Sequence, residues 1–321
     1  MNFKKKLLCA VPFAVLPFVV SAQTLKASDT HPAGYPTVVA VEKMGEQLAK
    51  ATDGKLKIQM FSGGVLGTET EVVEQTQLGA IQIARVSLGV VGPVVADVNV
   101  FNLPYVFRDE DHMRKVIDGP IGQEMLDKIT NSNFNLVGLG WMDSGSRSLY
   151  TKKPVRSQAD LKGMKIRVQG NPLLIESMNA MGGNGVAMNT GEVFSALQTG
   201  VIDGAENNPP TLFSHNHYQI TKYYALTGHQ IMPELLVMSK TAFNKLTPEY
   251  QALIKKAARD AQLEQRKLWN ARVDENVTKL KAAGVEFIDI DREPFRASTA
   301  PIRAKYGANY AELMQRIDAV K

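Results

Sequence analysis

The sequence predicts an α/β protein of two lobes, each a sheet flanked by helices, and three observations carry that expectation. Short strand-like segments alternate with helices over 25–86, and the same grammar resumes over 136–205. Between the two stretches lies Asp143-Ser144-Gly145-Ser146, a polar segment that suits a crossing between lobes. Near the C-terminus an unbroken helical stretch of about 35 residues would extend ~52 Å, longer than one small lobe is wide, and reads as a strut across both.

The chain begins with Lys4, Lys5 and Lys6, then runs almost wholly apolar from Leu7 to Val20. Val20-Ser21-Ala22 puts small residues where a signal peptidase cuts, before Gln23, so 1–22 reads as a secretory signal peptide. A membrane anchor is the alternative, but the run is shorter than the ~20 residues of a spanning helix. The mature protein is expected to be soluble and periplasmic. Its single cysteine, Cys9, lies inside the signal, which excludes thiol catalysis and cysteine-based metal sites from the mature chain. The formal net charge of +5 falls to +2 once the three signal lysines leave, and that is no footprint for nucleic acid.

In the mature chain a short strand is expected at 25–28. A helix follows over 36–52, with Val38, Val41, Met44 and Leu48 at helical spacing and Asp53-Gly54 as its stop. Residues 55–61 alternate, with Leu56, Ile58 and Met60 on one face. Thr68 and Glu71 form a capping-box pair that starts a helix running to Gly79, and 80–86 alternates again. Further strands are expected at 136–141, 164–169 and 201–205, with helices at 172–181 and 192–199. Thr247-Pro248-Glu249 is a strong helix start, and nothing interrupts the helix before Gly284. Two helices with a bend near Asn270 are the alternative. Lobe I is expected to comprise 23–144 and 233–272, and lobe II 145–232 and 273–321, with hinge strands and the long helix between them. Ligands of open α/β sheets sit beyond the carboxyl ends of strands, so the cleft between lobes is the expected site.

Two segments stand out chemically. In Lys165-Ile166-Arg167-Val168-Gln169, Ile166 and Val168 share one strand face, and Lys165, Arg167 and Gln169 the other. Arg167 lies near the carboxyl end, where its planar fork could match a carboxylate; an ordinary salt-bridged arginine is the bland reading. Asp203-Gly204-Ala205-Glu206-Asn207-Asn208-Pro209-Pro210 ends a strand in a polar cluster, and is either a site or a plain turn. His215 and His217 flank an asparagine; without a third ligand nearby they read as solvated or hydrogen-bonded rather than metal-binding.

Those segments resemble the substrate-binding subunit of tripartite ATP-independent periplasmic (TRAP) transporters, the DctP-type proteins. The resemblance rests on Leu161-Lys162-Gly163-Met164-Lys165-Ile166-Arg167-Val168 and on the run from Glu192 to Asn207. Phe101-Asn102-Leu103-Pro104-Tyr105-Val106-Phe107 and Gly64-Val65-Leu66-Gly67 match as well, in the same order. It implies a two-lobed periplasmic binding protein with a long helix along its back. It implies that Arg167 pairs with a ligand carboxylate, helped by Arg147 and Asn207. It assigns Asp29, His31, Glu69, Arg85 and Ser87 to the first lobe's share of the site. Arg85, the segment Asp29-Thr30-His31-Pro32 and the string Glu206-Asn207-Asn208-Pro209-Pro210 resemble the uronate-binding branch, where Gln169 and Asn208 also suit a polyhydroxylated acid.

The implied partners are a small organic acid and integral-membrane transporter subunits, with the receptor itself a monomer; no cofactor, metal or catalytic residue is implied. Sialate, an aldonate or a C4-dicarboxylate would keep the fold and change the ligand. A secreted sugar-acid-active enzyme is the rival class, although no Gly-x-Ser-x-Gly, His-Glu-x-x-His or phosphate-loop motif is present. Presentation of the ligand to a sensor rather than a transporter is a further alternative.

Overall fold

The computed structural model describes residues 22–321, so nearly all of the expected signal peptide lies outside the described residues. Among the described residues, eleven strands form two sheets. They are β1 (Gln23–Ser28), β2 (Leu56–Phe61), β3 (Ile83–Ser87), β4 (Leu136–Met142), β5 (Ser146–Thr151), β6 (Lys165–Val168), β7 (Asn184–Ala187), β8 (Gly204–Asn207), β9 (Tyr223–Ile231), β10 (Glu234–Ser239) and β11 (Glu286–Ile288). The first sheet has the order β2-β1-β3-β10-β4 and the second β11-β9-β5-β8-β6-β7. Strands β1, β2 and β3 run parallel, joined through helices Pro36–Ala51 and Glu69–Leu78. In the second sheet β6 runs parallel to both β7 and β8. The parallel strands of each sheet therefore have their carboxyl ends along a shared edge.

Local chemistry explains most element boundaries. The Thr68 hydroxyl accepts from the Glu71 backbone N–H, and Glu71 reaches back to the Thr68 N–H, which closes the capping box. Gly79 ends that helix at φ +83°, a conformation glycine adopts freely. The next strand begins at Ile83, later than the alternation over 80–86 predicts, because Gln82 turns its side chain back to the Gly79 carbonyl and the Lys26 N–H. The strand expected at 201–205 is shifted to Gly204–Asn207. Asp203 spends its carboxylate on the Lys165 N–H, and Val201 is exposed.

The chain crosses directly from strand to strand between the sheets twice, from β4 to β5 and from β9 back to β10, and passes once more from β10 to β11 through the long helix. The two crossings lie side by side. Met142 pairs with Glu234 before the change of sheet, and Ser146 with Ile231 after it. Gly145 takes φ +62° at the first crossing, and a Cβ there would come within 3.1 Å of the Trp269 indole. Glycine thus satisfies both the backbone and the close approach.

Helix Pro248–Ala282 is continuous over 35 residues, so the bent alternative is not realised. Thr247 caps it and Pro248 opens it. Ile254, Ala257, Ala258 and Ala261 pack into the core of the first sheet, with Leu139, Met142 and Leu236. Leu280 enters the core of the second, with Tyr150, Leu197 and Tyr224. Between these ends Gln265 grips the first crossing: its Oε1 accepts from the Asp143 N–H at 2.8 Å and its Nε2 donates to the Asp143 carbonyl at 2.9 Å.

The segment 273–321, expected whole in the second lobe, is divided. Strand β11 joins the second sheet, but the last helix, Ala311–Ala319, returns to the first-sheet side. There Arg316 pairs with Glu124 at 2.7 Å, and His112 Nε2 lies 2.9 Å from the Ile317 carbonyl. Leu313 and Ile317 supply the apolar stripe that seats it.

Gln265→Leu removes both hydrogen bonds to Asp143 and leaves two buried backbone groups unpaired, each worth about 1–3 kcal/mol. The variant should unfold at lower urea concentration by an amount equivalent to at least about 2 kcal/mol. An unchanged midpoint would show that the helix does not hold the crossing.

Candidate functional site

A cavity of about 360 Å³ opens between the two sheets, within the range of small-molecule sites. From the first-sheet side it is walled by the loop Gly63–Gly67 and the first turn of helix Glu69–Leu78. From the second-sheet side come Arg167 and Gln169 at the carboxyl end of β6, Met188–Gly191 after β7, and His215. Of the residues expected from sequence, Glu69, Arg167 and Gln169 line this cavity directly. Of the others, Asp29, His31 and Arg85 belong to one charged cluster and Arg147 and Asn207 to a second.

The first cluster surrounds Arg85, which is 1% exposed. Its Nη1 donates to Glu234 Oε2 at 2.6 Å and lies 3.3 Å from Glu69 Oε1, while Nη2 donates to Asp29. Asp29 also accepts from the Thr37 hydroxyl and from the His31 backbone N–H at 2.9 Å. Three carboxylates thus share one arginine. Burial works to raise the Asp29 pKa, but Arg85 and His31 outweigh it and hold the carboxyl well below the usual range. Glu69 goes the other way. Burial, with the Glu234 and Asp29 charges beside it, pushes its carboxyl up against the pull of Arg85.

The second cluster surrounds Arg147, whose Nε and Nη2 form a two-pronged pair with Glu206 at 2.6 and 2.8 Å. Arg147 Nη1 donates to Asn207 Oδ1 at 3.0 Å. Burial works against ionisation of Glu206, but Arg147, with His229 at 3.7 Å, brings its pKa down to about 2. Arg147 is therefore neutralised inside the fold.

Arg167 is not. The residue is 2% exposed, and its Nε donates to the Met188 carbonyl at 2.8 Å. Its Nη2 reaches the Thr190 hydroxyl at 3.4 Å. No carboxylate lies within 4.0 Å of it among the described residues. Burial pulls its pKa below the usual guanidinium value, and the opposing pull of Tyr150 and Glu206 does not restore it. A buried cation of this kind costs free energy until an anion completes it. Arg167 lines the cavity between the sheets.

Of the remaining expected residues, Gln169 and Ser87 link the two walls, whereas Asn207 and Asn208 are engaged beside the crossing. Gln169 donates to the Ser87 hydroxyl at 2.7 Å across the cleft, from β6 to the end of β3. Asn208 caps helix Pro209–Ser214 through its Oδ1 and donates to the Ser144 carbonyl at 2.9 Å, so its amide serves the crossing rather than the cavity. Asn207 Oδ1 accepts from Arg147 and from the Asn208 N–H.

Several cluster members escaped the sequence reading. Glu234 opens an otherwise apolar strand beside the return crossing, and only the cross-strand register places it at Arg85. Glu206 is visible in sequence as an acid next to Asn207, without a hint that Arg147 takes it up. Of the two readings open for His215 and His217, solvated or hydrogen-bonded, His217 takes the second. His217 is buried with its Nδ1 2.8 Å from the Tyr150 hydroxyl, and His215 lines the cavity. Burial lowers both pKa values to about 3, helped by the nearby Arg167 charge and, for His215, first by His31 and His217. Tyr35 stacks on His31 with ring centroids 3.8 Å apart. No group of three or more His, Cys, Asp or Glu side chains suited to a metal occurs among the described residues.

Residues 27–309 match the bacterial extracellular solute-binding proteins, family 7, the DctP family. The chain belongs to that family. Solved members of this type include a TRAP periplasmic solute-binding protein of Pseudomonas putida F1 with bound D-glucuronate. It is 69% identical, with 93% of this chain and 98% of that one covered, at a TM-score of 0.92. A Xanthobacter autotrophicus Py2 protein with bound β-D-galacturonate is 41% identical over 92% of this chain and 100% of its own, at 0.90.

A Citrobacter koseri TRAP protein is known in two states. The form with bound D-glucuronate is 55% identical over 93% and 100% of the two chains, at a TM-score of 0.92. The apo, open form matches at 53% identity over 92% and 98%, at 0.83. The lobes of this DctP-family protein are thus set nearer to the bound arrangement. The cross-cleft bonds from Gln169 to Ser87 and from Asn171 to the Gly89 carbonyl, at 2.7 and 3.1 Å, fit that state.

The two arginines should behave oppositely without ligand. Arg147→Met strands a buried Glu206 and should destabilise by about 3–5 kcal/mol. Arg167→Met removes a buried charge that has no counterion and should leave the melting temperature unchanged or raise it. Glu206 is depressed in the fold, so its contribution is full above the ordinary carboxylate range and fades as pH falls toward 2. The gap between Arg147→Met and the parent should therefore narrow below about pH 4.5. A gap independent of pH would deny the pair.

Proposed function

We propose that this protein is the periplasmic receptor of a TRAP transporter for a hexuronate such as D-glucuronate or D-galacturonate. It captures the sugar acid between its lobes and, as a monomer, passes it to integral-membrane subunits. The observation that carries this reading is Arg167, a buried guanidinium without a carboxylate partner, opening on a cavity of sugar size. Two of its remaining N–H groups would hold the ligand carboxylate. The D-glucuronate bound to the Pseudomonas putida and Citrobacter koseri proteins supports the choice of ligand. Glu69, His215 and Gln169 supply donors and acceptors to the hydroxyls from the opposite walls. The protein acts as a receptor rather than an enzyme and releases its ligand unchanged. The expected signal peptide over 1–22 would bring it to the periplasm.

In a thermal-shift comparison of uronates, aldonates, sialate, C4-dicarboxylates and neutral sugars, hexuronates should raise the melting temperature most. A ligand that binds only the folded state adds about 2.7 kcal/mol at a hundredfold excess over its dissociation constant. Glucose and galactose should have no effect, because they leave the buried cation uncompleted. Equal stabilisation by a neutral sugar would overturn the carboxylate anchor; stabilisation by sialate or dicarboxylates alone would move the ligand class. Arg167→Lys keeps the charge and loses the fork, so calorimetry should show affinity falling tenfold or more.

A further inference from the structure

Glu69 is the acid that the cleft shares with the charged cluster around Arg85. It opens helix Glu69–Leu78 and lines the cleft cavity, 8% exposed. Its Oε1 accepts from the Ser87 backbone N–H at 3.2 Å and lies 3.3 Å from Arg85 Nη1. That nitrogen has a better partner, since it donates to Glu234 at 2.6 Å, and Nη2 donates to Asp29. Glu69 Oε2 makes no hydrogen bond among the described residues.

The charges around Glu69 do not balance. Against the carboxylates of Asp29, Glu69 and Glu234 stand Arg85 and, when protonated, His31, whose Nδ1 lies 3.0 Å from Asp29. One carboxylate is in excess even with His31 charged, and Glu69 has the longest contact with Arg85 of the three. On the opposite wall Arg167 has no carboxylate within 4.0 Å among the described residues, and burial drives His215 toward its neutral form. Glu71, on the same helix as Glu69, also lines the cavity but is exposed and held by Thr68. A bound sugar acid brings a further anion into this cavity, and two anions screened from water repel strongly.

We propose that the site takes up a proton from solvent as it closes on its sugar acid, and that Glu69 holds it. The neutral carboxyl donates through Oε2 to a ligand hydroxyl while Oε1 goes on accepting from Ser87. Arg167 keeps the ligand carboxylate, and Glu69 adds no second negative charge. In an open cleft Glu69 meets water and ionises in the ordinary carboxylate range. Once closed, burial beside Glu234 and Asp29 favours its neutral form. Affinity is thereby linked to pH. It falls as pH rises above about 4.3, by up to about tenfold per unit, until Glu69 is ionised in the complex as well. The inference rests on the hexuronate reading of the cleft.

Calorimetry of D-glucuronate binding in two buffers of different ionisation enthalpy counts the protons. At about pH 5.5 the parent should take up about half a proton or more per ligand beyond the Glu69→Gln variant, whose amide keeps a donor and an acceptor but cannot titrate. A proton exchanged at His215 is common to both proteins and cancels. From about pH 5 to 8 the parent's dissociation constant should rise about tenfold or more relative to the variant's. Equal proton counts would overturn the inference and leave the receptor reading standing. No heat with D-glucuronate or D-galacturonate would overturn that reading and this inference with it. The parent alone gives a second measurement, independent of how the variant folds. With its glutamate carboxyl carbons isotope-labelled, NMR at about pH 5.5 should show one resonance moving to the neutral-acid position when ligand is added. The absence of any such move at saturation would overturn the proposal.

Discussion

An arginine held inside a protein without a counterion is the constraint from which the rest of this structure follows. Arg167 sits near the carboxyl end of β6, an interior parallel strand next to the sheet edge, and among the described residues its side chain is anchored by the Met188 carbonyl and the Thr190 hydroxyl. The fold keeps its other charges paired around it. Arg147 is matched by Glu206 on the same sheet, and Arg85 is surrounded by Asp29, Glu69 and Glu234 on the other. Those pairs are structural in energy and preparatory in effect. They place one unpaired cation on one wall of the cleft and a surplus of acid on the other.

The hinge makes that polarity useful. Two adjacent crossings and a single long helix are the main continuous links between sheets, and each crossing is fixed by specific groups. Gly145 gives the first its turn, Gln265 holds Asp143, and Asn208 ties Ser144 to the start of helix Pro209–Ser214. Few other bonds cross the cleft, and those that do are single polar contacts such as Gln169 to Ser87. Contacts of that kind are weak enough to break for entry and specific enough to define a closed position.

Much of this was legible in the sequence, for physical reasons. Alternation, the capping box at Thr68 and the proline after Thr247 are local signals, and the helices they predict are present. Arg167 was visible because strand periodicity puts it opposite Ile166 and Val168, near a strand end. The partnerships of the other charged residues were not legible. Glu234 reaches Arg85 across 149 residues and Glu206 reaches Arg147 across 59, set by strand order and register that no local pattern encodes. The family resemblance implies Arg147 as a helper at the ligand carboxylate, and only the structure shows its fork engaged by Glu206. The last helix read as part of the second lobe because sequence proximity to β11 gave no sign of the Arg316–Glu124 pair.

The central claim is that Arg167, and not one of the two arginines already paired, receives the ligand's charge. A crystal structure of the protein with D-glucuronate decides it. The account predicts the ligand carboxylate within about 2.7–2.9 Å of two Arg167 nitrogens, with the Arg147–Glu206 pair intact. A carboxylate seated on Arg147 or Arg85, with its acidic partner displaced, would contradict it.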